Sequence, residues 1–137
     1  MRPRLDRILL AVIALIFVVH SAAVALSWYY LYPWIDIPMH IASGFWIGLL
    51  FFYLFFERQQ ILRGELNFIQ IAFLCTGFVA FIGAGWEVYE YLLEVFVIHL
   101  MPFGGSVPGL HFDTLKDLFD DTVGGALASV WYFYSRK

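Results

Sequence analysis

The chain has 137 residues, of which 62% are hydrophobic and only 14% are charged. A water-soluble domain of this size has too little interior to bury so much apolar surface, so the composition excludes an ordinary soluble protein and indicates a bilayer. With a formal net charge of −3 and no basic patch, the chain has no feature of a nucleic-acid-binding protein. The single cysteine, Cys75, excludes an internal disulfide framework.

Four apolar runs are long enough to cross the hydrocarbon core, which requires about 20 helical residues. In chain order we place them at about residues 8–29, 35–56, 67–96 and 113–134, within a single transmembrane domain covering 1–137. The first run follows three arginines, as in a signal peptide, but its length favours an uncleaved span. The sequence therefore predicts an all-α, polytopic membrane protein with four transmembrane helices.

Basic residues outside the spans set the predicted orientation. They precede the first span, lie between the second and third, and follow the fourth, and all three places fall on one side of a four-span protein. The positive-inside rule makes that side cytoplasmic, with both termini inside. These residues are Arg2, Arg4, Arg7, Arg58, Arg63, Arg136 and Lys137. The outer side then carries "YYLYPW", which is typical of an interfacial aromatic belt, and an apolar, Gly/Pro-rich loop at 97–112.

Acidic residues at the head of the fourth span share one helix face. At about 100° per residue they fall within an arc of about 100°. They are Asp113, Asp117, Asp120 and Asp121. The second span repeats the spacing, because "DIPMHIASG" aligns with "DTLKDLFDD" and places Asp36 and His40 on one face. In the third span Glu87, Glu90 and Glu94 also share a face, so three spans bring acids or histidine to one layer near the outer surface.

The energetic cost of this layer predicts a functional site. A central Asp in a spanning helix costs roughly 2.5–3.5 kcal/mol. Asp36 and Asp113 could be helix caps, but Asp117, Asp120 and Asp121 lie too far into the helix. They require a cation, shared protons, a basic partner or a water-filled cavity. Lys116 is the one nearby base and lies about 60° from Asp113 on the wheel, so we expect instead a bound divalent cation, or carboxylate pKa values raised by burial and mutual repulsion.

Many carboxylates with one histidine favour a hard or borderline ion, namely Mg²⁺, Mn²⁺, Ca²⁺ or Zn²⁺. The predicted metal ligands are Asp36, His40, Asp113, Asp117 and Asp120. The predicted catalytic groups, acting as ligand or general base, are Glu87, Glu90 and Asp121. His20, His99 and His111 are weaker candidates, since a lone histidine more often serves as a hydrogen-bonding group. We expect a metal-dependent hydrolase or transferase acting on a membrane lipid or a lipid-linked envelope substrate.

Two other functions fit the same residues. Buried Asp, Glu and His also form proton and ion paths, so a small ion-coupled transporter working as a homo-oligomer is one alternative. The other is a structural or assembly subunit whose acids pair with a partner's basic residues. No serine-hydrolase triad or H-E-x-x-H motif is present to favour other hydrolytic chemistry.

Three segments, "DIPMHIASGFWIG", "GWEVYEY" and "FDTLKDLFDDTVGGA", resemble the YjdF-like group of bacterial inner-membrane proteins within the broader VanZ-like set. The resemblance covers about the last hundred residues. Its matched positions are Asp36, His40, Gly44, Glu87, Glu90, Asp113, Thr114, Asp117 and Gly124. VanZ-like proteins often have Asn where this chain has Asp121. The resemblance implies a multi-pass protein of a bacterial or archaeal cytoplasmic membrane with a polar site, linked to the cell envelope.

Overall fold

A computed structural model describes residues 5–62, 66–98 and 110–135, and every regular element in these ranges is helical. A 3-10 turn precedes the third helix, and π-helical turns extend the third and fourth. The helices are α1 (Leu5–Ala25), α2 (Trp28–Leu31), α3 (Asp36–Phe52), α4 (Phe68–Leu93) and α5 (Leu110–Ser135). Of the Gly/Pro-rich loop predicted at 97–112, residues 99–109, which include His99, lie outside the described residues, as does the side chain of His111, whereas the ends of the predicted loop are helical.

The first predicted span ends earlier than expected. α1 stops at Ala25, and the chain turns at Ser27, whose φ of 55° lies in the left-handed region. A left-handed residue commonly ends a helix because it redirects the backbone away from the helical path. The turn folds the short helix α2 back toward α1, so that Tyr29 lies beside His20 instead of continuing the span.

Three helical segments are long and apolar enough to cross a membrane: Leu5–Ala25, Pro33–Arg58 and Phe68–Val97. They agree closely with the first three predicted spans. Their large apolar side chains remain exposed, with Phe73 and Phe81 each 77% exposed. Such a surface would be costly in water, at about 25 cal/mol per Å², so it indicates a hydrocarbon environment.

The fourth predicted span is a helix, but it is not one of these three segments. α5 begins at Leu110, three residues before the predicted start, and its first half carries five charged residues. Asp113 therefore lies inside the first turn and is not the N-cap. Asp36 is likewise the first residue of α3, and the N-cap position is taken by Ile35, with no side-chain cap. The helix-cap interpretation of both aspartates is wrong.

The core lies where α3, α4 and α5 pack together. Phe52 and Tyr132 stack with ring centroids 4.0 Å apart, and fully buried Cys75 places its sulfur between the backbones of α3 and α5. α1 packs on the outside of α3, where the Trp46 indole donates to the Leu9 carbonyl at 2.9 Å. This core occupies the later half of α3 and α5 and leaves their beginnings for polar groups.

Candidate functional site

Helices α3 and α5 run parallel in a constant register. Asp36 faces Lys116, Gly44 faces Gly124 and Phe52 faces Tyr132, pairs that are all separated by 80 positions in the chain. Because both helices start at the same end of the bundle, their N-terminal polar residues meet there. We call this polar group, formed by Asp36, His40, Asp113, Lys116, Asp117 and Asp121, the acidic cluster.

Glycines bring the two helix backbones into contact just beside the cluster. A Cβ atom at Gly44 would lie 2.1 Å from the Asp121 carbonyl oxygen, and one at Gly124 would lie 2.2 Å from the Ile41 carbonyl oxygen. Neither position has room for a side chain. On α4, a Cβ atom at Gly83 would lie 2.7 Å from the Oδ2 atom of Asp121. Small residues thus allow three helices to converge on Asp121.

Lys116 is the cationic centre of the acidic cluster. Its ammonium nitrogen donates to Asp36 Oδ2 at 2.8 Å and to Asp117 Oδ1, and lies 3.7 Å from Asp113 Oδ1. The ammonium therefore joins α3 to α5 by charge-assisted hydrogen bonds, which are roughly twice as strong as neutral ones. Asp113 is the outermost of the three acids, with its side chain 67% exposed.

His40 connects the remaining acids. Its Nε2 lies 3.5 Å from Asp36 Oδ1 and 3.8 Å from Asp117 Oδ1, while Nδ1 lies 3.4 Å from Asp121 Oδ1. The ring thus presents one nitrogen to two carboxylates and the other to a third, and Asp121 itself is only 3% exposed. Metal-binding histidines in proteins commonly use one nitrogen for the ion and direct the other to a carboxylate that fixes the ring.

One oxygen or nitrogen from each of Asp36, His40 and Asp117 lies within 4.8 Å of the other two. Ligands about 2.0–2.2 Å from a common metal are separated by less than about 4.5 Å, so small side-chain rotations would bring these three atoms to bonding distance. Asp36 and Asp117 already bind the Lys116 ammonium. A divalent cation and the ammonium would therefore interact with the same carboxylates.

Buried carboxylate oxygens in and beside the cluster have no hydrogen-bond partner in the described part of the chain. They are Glu87 Oε1, Asp120 Oδ2 and Asp121 Oδ1. Asp121 Oδ1 is near His40, but that approach of 3.4 Å is a charge contact without hydrogen-bond geometry. An unpaired buried acceptor costs about 1–3 kcal/mol, and more when it is charged. Their presence indicates that further cations, protons or water belong in this region.

The glutamates of α4 approach the cluster from the side. Glu87 interacts with Thr114 and with Asp117 of α5, and Glu90 interacts electrostatically with His40 and Asp36. Glu87 is half-buried, whereas Glu90 is exposed. Helix α4 therefore contributes its acids to the same layer as α3 and α5.

A family model described as "Predicted membrane protein (DUF2238)" matches residues 1–137. The chain belongs to this family. Comparison with curated proteins and with solved structures gives no match. The family description agrees with the three apolar helical segments of the fold and does not state an activity.

In this member of the DUF2238 family, most of the site residues predicted from the sequence lie together. Asp36, His40, Asp117 and Asp121 meet directly, and Asp113 joins them through Lys116. Glu87 and Glu90 flank them. Asp120 is buried, at 7% exposure, but none of the ion pairs in the described ranges joins it to the cluster.

Two residues contribute more to this region than their sequence positions predict. The helical wheel places Lys116 to one side of the aspartates, yet its ammonium contacts three acids. Tyr29 falls in the predicted aromatic belt, but it lies beside His20, and burial together with the carboxylates of Asp36 and Glu90 raises its pKa. The signal for Lys116 is present in the sequence, since it is the only lysine or arginine between Arg63 and Arg136.

Proposed function

We propose that this protein is a four-span inner-membrane protein of the YjdF-like and VanZ-like type that binds a divalent cation at the acidic cluster and acts on a lipid head group. In this proposal α5 is the fourth span, and both termini lie on the cytoplasmic side. The length of α5, 26 residues, supports a fourth crossing, since about 20 suffice. The packing of its polar face against α3 explains why its composition is less apolar.

The observation that carries the metal proposal is the convergence of Asp36, His40 and Asp117 within 4.8 Å. In the proposal His40 binds through Nε2, and Asp121 holds the ring through Nδ1, as expected for a carboxylate that supports a metal-binding histidine. Four carboxylates of the cluster face one lysine and one histidine. With a neutral histidine, the charges sum to about −3, and a divalent cation would reduce this imbalance to about −1.

The remaining acids receive roles from their positions. Glu87 is the proposed general base, because its Oε1 is buried without a hydrogen-bond partner in the described residues and its carboxylate interacts electrostatically with Asp117. Glu90 is exposed and would face the substrate. Asp113 and Asp120 remain proposed additional ligands. A divalent ion held by these groups would activate water or polarise a phosphate, which fits a hydrolase or transferase reaction on a phosphate-containing head group.

The test measures metal bound to purified protein. We expect about one divalent ion per chain, with zinc, manganese, magnesium and calcium compared directly, and a loss of affinity of at least 10- to 100-fold in Asp117→Asn. Asp6→Asn is the matched control, because Asp6 is an acid on α1 that is distant from the acidic cluster in sequence and lines a different surface. Metal-free wild-type protein, or equal metal binding by wild type and Asp117→Asn, would contradict the proposal.

The ion pairs of Lys116 favour a second candidate, a proton-coupled transporter. Lys116 already forms ion pairs with both Asp36 and Asp117, and Glu87 and Asp121, each with a buried oxygen that lacks a hydrogen-bond partner in the described residues, extend this row of acids. Such rows form proton paths in membrane proteins. Proton flux into liposomes that is unaffected by chelators and lost in Asp121→Asn would favour this function over the metal-dependent one.

A further inference from the structure

The proposed metal position and the Lys116 ammonium meet at one oxygen atom of the acidic cluster. Asp117 Oδ1 lies 3.8 Å from His40 Nε2, and the same atom accepts a hydrogen bond from Lys116. Asp36 separates the two contacts, because its Oδ1 lies 3.5 Å from His40 Nε2 while its Oδ2 accepts from Lys116 at 2.8 Å. A metal ion and the ammonium would therefore compete mainly for Asp117.

A metal ion bound to Asp117 Oδ1 would lie very close to the ammonium. Metal–ligand distances are about 2.0–2.2 Å and charge-assisted hydrogen bonds are about 2.7–2.9 Å long, so the two cations would lie within about 5 Å of each other. At that separation like charges repel strongly, even at the effective dielectric constant of about 20 that describes protein sites. Binding of a divalent cation therefore favours departure of the ammonium from this oxygen.

A second acid lies close enough to receive the ammonium. Asp113 is three residues before Lys116 on α5, and its Oδ1 lies 3.7 Å from the ammonium nitrogen. The side chain of Asp113 is 67% exposed, compared with 8% for Asp117. A movement from Asp117 to Asp113 is thus short and leads outward, and the flexible four-carbon stem of lysine allows it without a movement of the helix.

We propose that Lys116 is an intramolecular competitor for the cation site, and that its ammonium moves from Asp117 to Asp113 when a divalent cation binds. Without a metal ion, the ammonium holds Asp36 and Asp117 together across α3 and α5. With a metal ion, the same two acids bind the metal together with His40, and Lys116 remains at the outer edge of the cluster. The inference deepens the proposed function and rests on it, because it concerns the affinity of the same site.

The experiment measures dissociation constants for Mn²⁺ and Zn²⁺, each titrated into the purified full chain in detergent. We expect Lys116→Met to bind metal about tenfold more tightly than wild type, because the ion no longer has to displace the ammonium from Asp117. Added metal should also raise the melting temperature of Lys116→Met more than that of wild type. Lys116→Gln replaces Lys116→Met if the methionine variant does not fold.

Arg58→Met is the matched control for the loss of one positive charge. Arg58 is exposed and lies at the end of the Pro33–Arg58 segment that is opposite to Asp36. Its removal changes the net charge of the chain as much as Lys116→Met does, but it leaves the acidic cluster intact. We expect the dissociation constants of Arg58→Met to equal those of wild type, and a tightening equal to that of Lys116→Met would refute local competition.

Asp113→Asn tests the second position of the ammonium. If Asp113 receives the ammonium, Asp113→Asn should weaken metal binding about three- to tenfold in the wild-type background and leave it unchanged in the Lys116→Met background, as a double-mutant cycle detects. An equal loss in both backgrounds would make Asp113 a ligand of the metal itself and refute the proposed movement. The absence of a loss in either background would refute it as well.

The outcomes separate this inference from the metal proposal. If wild-type protein binds metal and Lys116→Met binds it equally or more weakly, the competition is overturned and the metal proposal stands. If neither protein binds Mn²⁺ or Zn²⁺, both are overturned. Binding by Lys116→Met alone would support the competition but contradict metal binding by the wild-type protein.

Discussion

Adding one methyl group at Gly44 should separate α3 from α5. The Cβ atom of alanine would lie 2.1 Å from the Asp121 carbonyl oxygen, whereas ordinary contact begins near 3.4 Å. The obstacle is backbone and cannot rotate away, so the helices must move apart by about 1 Å. Overpacking of this kind typically costs about 1–3 kcal/mol. The same movement should lengthen the 2.8 Å bond between Lys116 and Asp36.

Gly77→Ala is the matched control, because a Cβ atom at Gly77 meets nothing within 4 Å. Both variants gain the same helix propensity, so the difference between them isolates the steric cost. By thermal unfolding in detergent we expect Gly44→Ala to melt roughly 3–10 °C below Gly77→Ala. If the two variants melt together, the close backbone contact between α3 and α5 does not exist in the folded protein.

Three further outcomes follow from single contacts. Lys116→Met should lower the melting temperature more than Asp113→Asn, because it leaves Asp36 and Asp117 without their shared cation. The side chain of Asp113, in contrast, is largely exposed. Equal shifts in melting temperature would contradict the central role of Lys116 in the acidic cluster. Cys75 is fully buried, so a maleimide should label it only after unfolding, and rapid labelling of folded protein would contradict the core packing. Asn67→Ala should destabilise the protein by about 0.5–2 kcal/mol in denaturant titration, since Asn67 and Gln70 form a capping box at the start of α4; an unchanged midpoint would show that this cap is not formed.

Apolar length is enough to predict where most helices lie. The third predicted span, at about 67–96, corresponds to the observed Phe68–Val97, because helices in a bilayer must satisfy their backbone groups internally over the whole crossing. The end of α1 is harder to predict. Its apolar run continues through Ala25 to Leu26, and only the backbone conformation of Ser27 ends it. The left-handed backbone conformation of Ser27 cannot be predicted from the hydropathy of the sequence.

The shared face of the aspartates is also predictable, since helical spacing alone fixes it. Asp117, Asp120 and Asp121 are all buried, as expected. Asp113 is the exception, because it lies in the first turn of α5, beyond the region where α3 covers the helix. Spacing within one helix therefore predicts which side of the helix a residue faces. It does not predict where along the helix the packing against a neighbouring helix begins.

The register between helices is not accessible from the sequence. Alignment of the two polar motifs places Asp36 level with Asp113, whereas the structure places it opposite Lys116, a difference of three residues or about 4.5 Å along the helix. The contacts that set this register are the glycine pair Gly44 and Gly124 and the stacked rings near the other end. These contacts depend on shape at close range, which a motif alignment does not consider.

The register also determines which residue of α3 Lys116 contacts. A shift back by three residues would move Lys116 away from Asp36 on α3, whereas its contact with Asp117 lies within α5 and does not depend on the register. In the observed register the ammonium contacts both Asp36 and Asp117, so the divalent cation that we propose would interact with the same two carboxylates. The backbone contact at Gly44 and the chemistry of the acidic cluster are therefore linked, because the glycine fixes the register that brings lysine and carboxylates together.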